Sequence, residues 1–244
     1  YKPITGTSLW SNASFTHTYD AFATSDYVDT SGRRVHQTVN TDGNWSFHGA
    51  VYHNVQLKKM KMGLHNSLNT SLFRSVNFVN GLANVNNSQS TTYGLDLSKD
   101  VEDKYFISVE GNWTYNRSTT SIRPDVVTQY WLQEYQLYMQ YSLPFNMNIE
   151  ADVTYNVRQK TAEFNNNLNT TIVNVGLERA FGKKENLEIG FYIRDLLNEN
   201  IGFSRTANSN FINENIHTVL RRYFMLKVTY SFNSVGRDKK EEAK

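Results

Sequence analysis

Between residues 220 and 232 apolar and polar positions alternate almost without error. Leu220, Phe224, Leu226, Val228, Tyr230 and Phe232 take one parity; Arg221, Met225, Lys227, Thr229 and Ser231 take the other. Successive side chains of a β-strand point to opposite faces, so this spacing predicts a strand with one apolar and one mostly polar wall. The pattern recurs about ten times along the chain, and helical spacing competes nowhere. Leu9, Ala13, Phe15 and Tyr19 oppose Asn12, Ser14, Thr16 and Thr18; Val39, Trp45, Phe47, Val51, Val55 and Leu57 oppose Asn40, Asp42, Asn44, Ser46, His48 and Gln56. Met62, Leu64, Leu68 and Leu72 oppose Gly63, His65, Ser67, Asn69 and Ser71, and a short segment sets Tyr93, Leu95 and Leu97 against Thr92, Asp96 and Ser98. Tyr105, Ile107, Val109, Trp113 and Tyr115 oppose Ser108, Glu110, Asn112, Thr114 and Asn116, and strands of the same kind are expected at 131–143, 147–158, 173–181 and 187–194. The short leucine pair in Asp195-Leu196-Leu197-Asn198 reads as a strand end.

The connections alternate in length. Those at 58–59, 100–103, 144–146 and 182–186 are tight, whereas those at 21–34, 80–90, 118–128, 159–170 and 198–218 are long and polar. Short turns at one end and long loops at the other predict an all-β, wholly antiparallel, up-and-down transmembrane β-barrel, about ten strands of it here, with both ends of the chain on the short-turn side. In such barrels the short turns are periplasmic and the long loops extracellular. A soluble sandwich mixes hairpins with crossing connections and lacks this bias. The apolar faces begin or end in Trp45, Trp113, Tyr115, Trp131, Tyr155 and Tyr230, as rings that favour the headgroup level would.

Composition agrees with one wet and one dry wall. Hydrophobic residues make up only 39% of the 244 while aromatics reach 14%, as expected where only the outer face must be apolar. No apolar run approaches the roughly 18 residues that a membrane helix needs. A net charge of +2 without a basic stripe gives no nucleic-acid footprint, and the absence of Cys excludes disulfides and thiolate metal sites. No signal-peptide pattern opens the sequence, so a mature exported chain or a fragment is expected.

Chemistry-bearing groups are scattered. Asp42 with His36 or His48 could form half of a water-activating site, but polar residues wetting a lumen account for all three, and no catalytic, cofactor-binding or metal-binding residue is assigned; the chain is not expected to be an enzyme. The Asn-x-Ser/Thr triplets at Asn12, Asn44, Asn69, Asn112, Asn116 and Asn169 are expected by chance in so Asn- and Thr-rich a chain. Residues 1–233 read as barrel strands and 234–244 as a charged, solvated tail.

The stretches at 194–205 (RDLLNENIGFSR), 220–232 (LRRYFMLKVTYSF) and 38–62 (TVNTDGNWSFHGAVYHNVQLKKMKM) resemble the C-terminal portion of the barrel of TonB-dependent receptors of the Bacteroidetes type. Phe232 matches the terminal aromatic used there for assembly recognition. The resemblance implies an outer-membrane location and energised uptake of a bulky nutrient such as a siderophore, glycan or peptide. It implies as partners outer-membrane lipid, the barrel-assembly machinery, the TonB complex and a surface lipoprotein, and no nucleic acid. Such a receptor has about 22 strands and a plugged lumen. No plug or TonB-contacting segment is in the sequence, so the expectation is the last ten strands of a larger barrel. The alternatives are a stand-alone ten-stranded barrel acting as enzyme or adhesin, and a soluble carbohydrate-binding β-protein. The longest loop, 198–218, is expected outside the cell, packed down by Phe203, Phe211 and Ile212.

Overall fold

The computed structural model describes residues 6–160, 169–182, 185–207 and 212–232. They form strands β1 (Thr7–Thr18), β2 (Ala21–Val28), β3 (Arg34–Thr41), β4 (Asn44–Leu57), β5 (Met62–Val79), β6 (Leu82–Val101), β7 (Tyr105–Thr120), β8 (Val127–Leu143), β9 (Met147–Arg158), β10 (Thr170–Phe181), β11 (Leu187–Arg194), β12 (Phe203–Ala207), β13 (Ile212–Ile216) and β14 (Tyr223–Tyr230). The main sheet runs β1-β4-β5-β6-β7-β8-β9-β10-β11-β14 between hydrogen-bonded antiparallel neighbours, and β12 and β13 form a separate hairpin. Strands β1 and β14 stand at its two edges and are not paired with each other among the described residues.

Register carries the sequence pattern across the sheet. Val55, Leu64, Leu97, Val109, Leu137, Val153 and Val173 lie side by side in one row, and one residue over lie Asn54, His65, Asp96, Glu110, Gln136 and Thr154. Directly opposed residues share a face, so ten alternating strands add up to one continuous apolar wall and one continuous polar wall. The apolar wall is the open one: Val109 is 51% exposed, Leu137 43% and Val228 61%. A contiguous apolar surface on that scale is not stable against water and calls for lipid.

Four sequence expectations need correction. The segment read as one strand around Val39 to Leu57 is two, β3 and β4, broken at Asp42-Gly43, where Gly43 takes φ +92°. The expected loop at 21–34 contains β2, which pairs along its length with β3; the resulting hairpin folds back so that Ser25 and Asp26 meet Phe78 and Val79 in parallel. The sheet is therefore not wholly antiparallel. The parallel contact lies alongside the end of β5, above the last β4–β5 pair at Trp45 and Arg74, and pairs an edge that would otherwise be open. The expected loop at 80–90 is instead the start of β6, the longest strand, joined to β5 by Asn80-Gly81 with φ of +50° and +79°. Two successive positive φ angles make the primed turn that matches strand twist, and Asn-Gly is its preferred dipeptide.

The fourth correction concerns 195–198, read as a strand end. β11 stops at Arg194, and Asp195, buried at φ +51°, ends it with a cap. Its carboxylate accepts from the amides of Glu199 and Asn200 at 3.0 Å each, and its own amide donates to Asn174 Oδ1. The last strand is shorter than the alternating run, Tyr223–Tyr230, but keeps the expected faces. The tail at 234–244, residue Phe211 and the side chains of Phe203 and Ile212 lie outside the described residues, so the expected packing of the last loop does too.

Candidate functional site: the polar wall

The apolar wall has a measurable height. On β7 and β8, Tyr105 faces Tyr141 and Tyr115 faces Trp131, ten residues apart along each strand. At about 3.3 Å per residue and a tilt of about 40°, ten residues rise about 25 Å, the height of the lipid-facing band of a membrane barrel. Between the brackets the outward residues of β7 are Ile107, Val109, Gly111 and Trp113; beyond Tyr115 they become Arg117 and Thr119. The same change occurs on β6, from Leu97, Leu95 and Tyr93 to Thr91, Gln89 and Asn87. The upper parts of β5 to β8 thus project beyond the dry band with a polar outward face, while their inward face holds a buried cluster of Asn84, Ser118, Thr120, Thr128 and Tyr130.

The other wall is built for hydrogen bonding. Ser108 Oγ donates to Asp96 Oδ2 at 2.5 Å, Asn112 Nδ2 to Glu110 Oε1 at 2.7 Å, and Asn174 Nδ2 to Asp152 Oδ1 at 2.9 Å. Asp96 and Glu110 are direct cross-strand partners, an arrangement that a dry interior would not tolerate and a wet one screens. Open clefts lie on this wall among the described residues. One, of about 480 Å³, is lined by Asn54, Gln56, His65, Asp96, Ser98 and Glu110. Another, of about 350 Å³, is lined by Asn112, Thr114, Leu132, Glu134, Asn156 and Arg158, whose guanidinium sits 4.7 Å from the centre of the Tyr130 ring.

Toward the short-turn end a tighter cluster forms. Tyr192, buried, lies across Gly176 and Gly190, where a Cβ would come within 2.6 and 2.8 Å of its ring. Its hydroxyl donates to Glu178, and Lys227 bridges Glu178 at 3.4 Å and Glu188 at 3.6 Å. The aromatic fills the space that the glycines leave on a strand surface, a packing device rather than a reactive one.

The half-site considered from the sequence does not assemble. His36 Nδ1 meets Asp26 Oδ1 at 2.6 Å within the β2–β3 hairpin, Asp42 accepts from the Asp20 amide at 3.0 Å, and His48 meets Ser71 Oγ at 3.1 Å on the polar wall. His36 and Arg34 beside Asp26 hold its carboxyl below the usual carboxylate range, with the His36 hydrogen bond the larger cause. Among the described residues no three His, Asp or Glu side chains are grouped to hold a metal ion. What sequence reasoning passed over is Trp10, which breaks the alternation of β1 and stands on the polar wall opposite Tyr52. Parity alone would have found it.

A sheet with one lipid-demanding wall of membrane height and one wet wall is what a membrane barrel presents. In comparison with protein families, the outer membrane protein beta-barrel family matches residues 4–230. Comparison with curated proteins returns no match.

Proposed function

The chain belongs to the outer membrane protein β-barrel family and sits in the outer membrane, and on that premise we propose that it is the C-terminal portion of the barrel of a TonB-dependent receptor. In this reading it serves the energised uptake of a bulky polar nutrient, with no catalytic step of its own. The observation that carries it is the two-walled sheet, with an exposed apolar wall of membrane height backed by an acceptor-rich polar wall. Among the described residues β1 and β14 stand at the two ends of the sheet, and in lipid every strand edge must be paired, because an unsatisfied backbone group there costs several kcal/mol. In this reading further strands continue the sheet on both sides, as a receptor barrel of about 22 strands would supply.

The polar wall then faces the lumen and offers acceptor-rich clefts to a ligand in transit. The projecting β5–β8 wall, the β2–β3 hairpin and the β12–β13 hairpin lie on the extracellular side; the tight turns at 58–61 and 102–104 lie on the periplasmic side. The test is genetic and physiological. Removing the full-length gene and, separately, the TonB of the same cell should abolish growth on the same nutrient. Growth lost with the gene but kept without TonB contradicts the reading.

A further inference from the structure

Trp10 is the anomaly of the polar wall. Tryptophan in a membrane barrel belongs at the headgroup level of the outer face, yet Trp10 pairs in register with Tyr52 and shares its face with Ser67, Gly94 and Asn112. Among the described residues it is 56% exposed there. Its ring centroid lies 5.2 Å from that of Tyr52 at a tilt of 35°, and Tyr52 lies 6.2 Å from the imidazole of His65. The Tyr52 hydroxyl is committed to Asn69 at 2.8 Å, which fixes the ring. Around this pair stand Asn12, Asn54 and His65, and His65 and Asn54 also line the 480 Å³ cleft that continues to Asp96 and Glu110.

We infer that Trp10 and Tyr52 form a stacking platform for one ring of a neutral oligosaccharide, with Asn54, His65, Asp96 and Glu110 receiving its hydroxyls in the adjoining cleft; this rests on the reading of the polar wall as the lumen of an uptake receptor. The chemistry selects the class. A sugar ring presents an apolar C–H face beside a rim of hydroxyl donors and acceptors, and sites of this kind pair a few aromatic faces with convergent polar groups. Paired carboxylates at Asp96 and Glu110 repel an anion and accept from hydroxyls. A cationic ligand could also seek indole faces, but the groups nearest the platform are amides and an imidazole, not carboxylates.

The test uses the full-length receptor in detergent, its fold checked by heat-modifiable migration, on an array of neutral, acidic and basic glycans together with a lysine-rich peptide as a cationic probe. The expected result is saturable binding of a neutral glycan, weakened at least tenfold by Trp10→Ala, less by Trp10→Phe, and at least tenfold by Asp96→Asn combined with Glu110→Gln. Tyr52→Phe, which keeps the ring, should retain most of the affinity. Binding that ignores Trp10→Ala, binding to no neutral glycan, or Trp10-dependent binding of the lysine-rich peptide instead would each overturn the inference. None of these results touches the TonB dependence of growth, which tests the uptake reading separately.

Discussion

Tyr115 lies directly opposite Trp131 across β7 and β8, with ring centroids 5.2 Å apart. Ten residues toward the short turns, the same two strands oppose Tyr105 to Tyr141. The two pairs bracket a stretch whose outward residues are apolar, and they set the depth of every other position. Val109 and its row neighbours Leu137 and Val153 fall near the middle; the Asn84 side chain, held by hydrogen bonds to Asn77 and Asn86, stands well above.

The first prediction follows from that depth. Val153→Arg, refolded in lipid vesicles as the full-length protein, should cost about 2–4 kcal/mol, as a charge at the bilayer midplane does. Thr154→Arg, one residue over on the polar wall between Gln136 and Ile172, should be mild. Equilibrium unfolding in urea measures both, and equal losses would contradict the assignment of faces.

This much of the fold was legible in the sequence because lipid writes a period-two pattern. Within the dry band every outward residue must be apolar and every inward one can be polar, so β7 and β14 were readable residue by residue. Beyond the band the outward face no longer has to be apolar and the pattern fades. That is why the upper half of β6, with Gln89 and Asn87 where an apolar residue would stand lower down, read as a loop. The Asn80-Gly81 dipeptide was the available signal for a two-residue turn, and it marks the hairpin that the length of the polar run concealed. The β2–β3 hairpin was hidden for the same reason. The site was less legible: the polar wall emerged, but parity had to be applied to Trp10 before it stood out.

A second prediction concerns the glycines under Tyr192. A Cβ at Gly176 would meet the Tyr192 ring at 2.6 Å and Glu150 Cγ at 2.8 Å. Gly176→Ala should therefore cost about 1–3 kcal/mol, the usual penalty of overpacking. In a Tyr192→Ala background the added cost should fall markedly, because the ring that clashes is gone. A double-mutant cycle reads this coupling directly; additive losses would mean that the alanine is resisted by something other than the ring.

The third prediction is a small effect. Lys227 bridges Glu178 and Glu188 at 3.4 and 3.6 Å but is half exposed, so Lys227→Ala should lower stability only slightly. Because exposed pairs are screened, the difference from the unsubstituted protein should shrink further in about 1 M salt. A large loss, insensitive to salt, would show that the bridge is shielded from water.

A fourth prediction is pH-dependent. The Asp26 carboxyl is held below its ordinary value of 3.8 by the His36 hydrogen bond and the neighbouring Arg34. A carboxyl depressed in the folded state contributes stability that is present above its ordinary value and lost as pH falls below it. Amide protection factors in β2 and β3 should drop as pH is lowered below about 3.8, and Asp26→Asn should remove that pH dependence while leaving the protection of β7 unchanged. A drop of the same size in the Asn variant would assign the effect to other groups.

The central claim is that one wall of this sheet faces lipid and the other faces water, with a period of two along every membrane strand. These 244 residues contain no Cys, so single cysteines can be placed at successive positions from Ser108 to Thr114 in the full-length protein in its native membrane, with any cysteine elsewhere in that protein replaced by Ser. Labelling with a small, charged, membrane-impermeant thiol reagent should modify Ser108→Cys, Glu110→Cys, Asn112→Cys and Thr114→Cys, and leave Val109→Cys, Gly111→Cys and Trp113→Cys unmodified. Uniform labelling along the segment, or alternation of the opposite phase, would contradict the account.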